Sequence, residues 1–254
     1  MQLHPLVFVL AFLSNGALAQ DVPVRFTLAG SSTVTRVLMP LKAGVEAAHH
    51  AEIRLVPNGS GRGLAELVGG RADAAMISGP LDDLLEKLAP TRENELRSEQ
   101  LEKLKLADSP KAEIVALVHP ENVVRRLTSD QLRSILVGET TDWSAVGGPA
   151  RPIRVILPDA LDGVRATLAT SLLAGREFAA GAKIVERTPD IPGLVAEDAG
   201  AIGVLPRGML AADSAYAEIA PKLVLALYIV ARKDRLEEDP KLEMVLNSLH
   251  SRAR

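Results

Sequence analysis

Apolar positions in this chain fall into short blocks, each ended by a small polar turn. Residues 24–29 form such a block, ending in Gly30-Ser31-Ser32-Thr33, after which Val34, Val37, Leu38 and Leu41 recur at helical spacing. The event repeats at Ile53-Arg54-Leu55-Val56, followed by Asn58-Gly59-Ser60-Gly61-Arg62-Gly63, and again at Ala74-Ala75-Met76-Ile77, followed by Ser78-Gly79-Pro80. The spacing predicts strands over 24–29, 53–56 and 72–77. It predicts helices over 36–48 and 63–70, the second stopped by Gly69-Gly70. Leucines among many charges over 84–106 predict a solvated amphipathic helix pair broken near Pro90.

The second half continues the alternation. Strands are expected over 114–118, 153–157, 183–186 and 201–205, with one long apolar strand over 223–231. Helices are expected over 127–136, 164–173, 191–197 and 239–251. Thr128 or Ser129 is the N-cap of the first, Gly138 its stop, and Pro240 lies in the first turn of the last. Strand alternating with helix predicts an α/β fold with mainly parallel sheets covered by helices.

Composition narrows the class. The 254 residues suffice for one large domain or two small ones, and 47% hydrophobic with 24% charged residues describes a globular chain. A net charge of −3 argues against a nucleic-acid partner, which would require a basic face. Residues 6–13 are apolar but too short to span a bilayer, and Ala17-Leu18-Ala19 precedes Gln20 as a cleavage site. Residues 1–19 are therefore expected to be a cleaved signal peptide, the mature chain to be periplasmic, and stable membrane insertion to be absent. There is no Cys, so neither a disulfide nor a lipid-anchoring thiol contributes.

Strand ends that deliver hydroxyls and amides to helix N-termini make sites for small anions. Ser31, Ser32, Thr33 and Ser60, with the amides of Gly61, Arg62 and Gly63, are the candidates. Arg62 either charges the site or faces solvent at the helix start. Asp162 precedes a helix and suits an N-cap. His49-His50 are adjacent on a helix and do not face one way, so no metal site is expected there. No nucleophile elbow or ordered Ser-His-Asp set is present, and no enzyme or cofactor is expected. The glycines at 59, 61 and 63 lack the spacing and downstream acid of a dinucleotide fingerprint.

Six stretches in order resemble the phosphate-type periplasmic solute-binding proteins of ABC importers. They are Gly30-Ser31-Ser32-Thr33-Val34, Asn58 through Gly63, Ala72-Asp73 through Ser78-Gly79-Pro80-Leu81, Val118-His119-Pro120-Glu121-Asn122, residues 127–138 with 142–149, and Ala199 through Val204. The resemblance implies a two-lobed periplasmic binding protein-like fold, each lobe a mainly parallel sheet flanked by helices, with crossover strands between. The implied lobes are residues 21–112 with 221–254, and 113–220. It implies a small oxygen-rich or anionic ligand between the lobes and an ABC permease as partner. Ser78 stands where the phosphate binders carry an acid, and Leu157 where they carry an arginine. Arg165, one turn into the next helix, is the candidate substitute for that arginine. These departures leave an alternative: an envelope interaction or sensory module on the same scaffold.

Overall fold

A computed structural model describes residues 22–88 and 98–253. The expected signal segment, Pro90, and the glutamates at 93 and 95 lie outside the described residues. The chain runs β1 (Val24–Gly30), α1 (Ser32–His49), β2 (Ala51–Val56), α2 (Ser60–Val68), β3 (Ala74–Ser78), α3 (Leu81–Lys87) and β4 (Leu101–Lys105). It continues β5 (Glu113–Val118), β6 (Arg126–Thr128), α4 (Ser129–Leu136), β7 (Arg154–Pro158), α5 (Gly163–Ser171), β8 (Lys183–Val185), α6 (Ile191–Ala196) and β9 (Ala201–Pro206). It closes with β10 (Tyr216–Ala220), β11 (Leu223–Val224), β12 (Leu227–Arg232), α7 (Lys233–Glu238) and α8 (Pro240–Arg252).

Two sheets result, as expected for a two-lobed α/β fold. The first has the order β2-β1-β3-β12-β4, the second β6-β10-β5-β9-β7-β8, with β11 on β5. Strands joined by a helix pair in parallel, as β1 does with β2 and β3, and β7 with β8 and β9. Strands that carry the chain between sheets pair antiparallel, as β12 does with β3 and β4, and β5 with β9, β10 and β11. The sheets are thus mixed rather than mainly parallel. The innermost strands β3, β5 and β9 are buried at every position, which is why they read as unbroken apolar runs.

Two further expectations change. Residues 101–105 form a strand instead of the second helix of a pair. Antiparallel pairing of Leu101–Lys105 with β12 outweighs their helix propensity, and lysines blunt this sheet edge. The single strand expected over 223–231 is two. Leu223–Val224 stays on the second sheet, the chain steps across at Leu225-Ala226, and Leu227–Arg232 enters the first. Periodicity cannot show that step, because both pieces are apolar. The main apolar cluster passes through this junction, joining Leu28, Leu38 and Ile229 through Leu106, Ala112 and Leu225 to Ile114, Leu132, Trp143 and Leu168.

Candidate functional site

The three polar turns of the first sheet meet at one point. β1 ends at Gly30, whose φ of 138° suits glycine alone, and a Cβ there would lie 2.1 Å from the Met76 carbonyl oxygen. That close approach seats Ser31 beside the end of β3, with its amide donating to Met76 O at 2.6 Å. Ser31 caps α1 by accepting from the Thr33 and Val34 amides at 3.2 and 3.3 Å. Its hydroxyl donates to Ser78 Oγ at 3.0 Å. Ser60, at the first turn of α2, lies 3.2 Å from Ser78 Oγ and accepts from the Ser78 amide at 3.1 Å. All three serines are buried.

A cavity of about 20 Å³ opens beside this triad. It is lined from the first sheet by Ser31, Ser32, Thr33, Asn58, Ser60 and Ser78, and from the second by Asp162, Glu186, Arg187 and Thr188. Its donors are specific. The triad can use its own three protons internally, the Thr33 and Val34 amides are held by Ser31 and the Gly61 amide by Leu161, so the hydroxyls of Ser32 and Thr33 are what remains for a guest. Asn58 donates to Glu66 Oε1 at 2.8 Å and keeps a buried Oδ1 without a protein partner. Its charges do not favour a dianion, since Arg187 is paired with Asp190 at 2.8 Å. Asp162 caps α5 by accepting from Val164 N at 2.8 Å, and its other oxygen accepts from Thr188 Oγ1 at 2.7 Å. Desolvation pushes its carboxyl above the ordinary range, opposed by those hydrogen bonds and assisted by the nearby Asp159 charge.

Comparison with known proteins identifies the superfamily. The family model described as "PBP superfamily domain" matches residues 17–240. The chain belongs to this superfamily. One relative, phosphate-binding protein PstS of Bacillus subtilis (strain 168), is 28% identical over 189 residues, covering 74% of this chain and 58% of its own length. The chain thus spans less than two thirds of that relative. Among solved structures, a putative phosphate ABC transporter substrate-binding protein with bound phosphate from Clostridium perfringens matches with a TM-score of 0.73 at 18% identity, covering 89% of this chain and 92% of that one. An ABC-type phosphate transport receptor from Vibrio cholerae matches with a TM-score of 0.63 at 22% identity, covering 89% and 93%. At these identities the likeness is one of fold.

Within this PBP superfamily fold, the structure brings Ser31, Ser32, Thr33, Ser60, Ser78 and Asp162 together around the cavity. The other expected residues go elsewhere. The Gly61 amide is occupied, donating to the Leu161 carbonyl at 3.0 Å. Gly63 is a packing residue: a Cβ there would sit 2.3 Å from Ala29 O, so its absence lets α2 lie against β1. Arg62 does not line the cavity. It bridges the sheets instead, with Nη2 at 3.1 Å from Asp159 and Nη1 donating to Glu186 O at 3.3 Å. Arg165 does not replace the missing arginine either. Its Nη1 donates to Pro158 O at 3.2 Å, and its guanidinium lies over the Phe178 ring.

Asn58 and Thr188 line the cavity although the sequence did not single them out as site residues. Thr188 follows β8 as Ser31 follows β1, so the rule of polar strand ends already contained its signal. His119 is a turn residue whose Nδ1 accepts from Glu121 N at 3.2 Å. Among the described residues no group of three or more His, Cys, Asp and Glu stands together as a metal site, and no helix is long and apolar enough to cross a membrane.

Proposed function

We infer that this chain is a periplasmic solute-binding protein that holds a small oxygen-rich or anionic ligand between two lobes for ABC import. The lobes in this reading are residues 21–112 with 221–254, and 113–220, and residues 1–19 direct export. The observation that carries it is the convergence of Ser31, Ser60 and Ser78 with two helix N-termini on a cavity shared by both sheets. Hydroxyls and amides at helix starts recognise oxygen ligands without a fixed positive charge. The names of the relatives make phosphate the first candidate.

Isothermal titration of protein refolded from denaturant, against phosphate, sulfate, molybdate and small carboxylates, tests the reading. One-site binding of at least one member is expected. Silence across the panel contradicts a transport role.

A further inference from the structure

Groups from the two sheets contact each other at the N-terminus of α2. The Gly61 amide, the kind of donor an anion takes, is filled by the main-chain carbonyl of Leu161 from the loop after β7. Arg62 spans the same gap, paired with Asp159 at 3.1 Å and donating to Glu186 O. The backbones touch behind them: a Cβ on Gly163 would lie 1.7 Å from Ser78 O, and one on Gly61 would lie 2.4 Å from Leu161 Cβ. Ala166 of α5 is fully buried in the apolar cluster of Leu64, Leu67, Ile77 and Leu84. The remaining cavity, about 20 Å³, is one water in size. An oxyanion that took the Gly61 amide would have to displace the Leu161 carbonyl from it.

We propose that Arg62, Asp159 and the Leu161 carbonyl form a latch that closes the lobes without ligand and competes with the ligand for the N-terminus of α2. The ligand arm of this idea rests on the solute-binding reading; the closure itself does not. A latch makes the binding-competent state a minority, and apparent affinity falls by that fraction. Removing Arg62 therefore strengthens ligand binding. Direct ligation by Arg62 demands the reverse.

The absence of Cys makes a two-label experiment clean. Arg71→Cys with Ser171→Cys places one exposed label beside each sheet. Pulsed dipolar spectroscopy on the full chain, refolded without anions, should show one short distance. Arg62→Ala or Asp159→Ala in the same background should populate a longer one. Inorganic phosphate should bind Arg62→Ala roughly two- to fivefold more tightly than the parent. The proposal is overturned by a long distance in the parent without phosphate, by distances that neither substitution changes, or by weaker or unchanged phosphate binding in Arg62→Ala. Where phosphate binds neither protein, the distances alone decide the latch, and the silence counts against phosphate as the ligand.

Discussion

Ser60 serves two groups of one neighbour, accepting from the Ser78 amide and meeting the Ser78 hydroxyl. Ser60→Ala strands a buried amide and should cost about 1–3 kcal/mol, seen as a lower urea midpoint at unchanged slope. Asp162 sets a pH dependence of opposite sense to that of a paired carboxylate. Its folded-state pKa is raised, so the folded protein holds the proton more tightly than the unfolded chain. Its stabilising contribution is full below the ordinary carboxylate range and is lost as pH rises through the raised value. Asp162→Asn should therefore gain on the parent as pH climbs from 4 to 7, measured by urea unfolding, and the gap should close at low pH. At this scale the serines were legible, because a hydroxyl at a strand end has few places to go. Arg62 and Arg165 were not. A long side chain takes its direction from partners on another segment, here Asp159, Pro158 and Phe178.

Helix starts were legible where a capping sequence marks them, whereas α1 and α2 begin at Ser32 and Ser60, ahead of the expected positions 36 and 63. Thr128 caps α4 in a reciprocal box with Gln131, two bonds that the sequence Thr-Ser-Asp-Gln spells out. Thr128→Ala should destabilise the protein by about 1 kcal/mol in thermal or urea unfolding, with little effect on ligand binding, since Thr128 lies away from the cavity lining. The strands that went unrecognised share a cause. β4 is a sheet edge held by β12, and β6 and β10 pair with each other across 92 residues of sequence. Their pattern is set by pairing partners rather than by their own periodicity. The break between β11 and β12 marks where the chain leaves one sheet for the other, a fact of tertiary geometry with no local signature.

For the whole molecule, alternation of strand and helix was enough to reach the α/β class, and six ordered motifs were enough to reach the two-lobed fold. How tightly the halves meet was not legible, because it depends on a glycine, Gly163, seated against Ser78 and on an alanine, Ala166, placed in the opposite core. In the proposed function, the free hydroxyls of Ser32 and Thr33 beside the serine triad receive the ligand. Ser32 and Thr33 test it most directly, since both line the cavity and, among the described residues, their side chains hold no other part of the fold by a hydrogen bond. Phosphate titration of Ser32→Ala/Thr33→Ala beside the parent, both shown to be folded, should show affinity reduced by about tenfold or more. Equal phosphate affinity in the two proteins would contradict it.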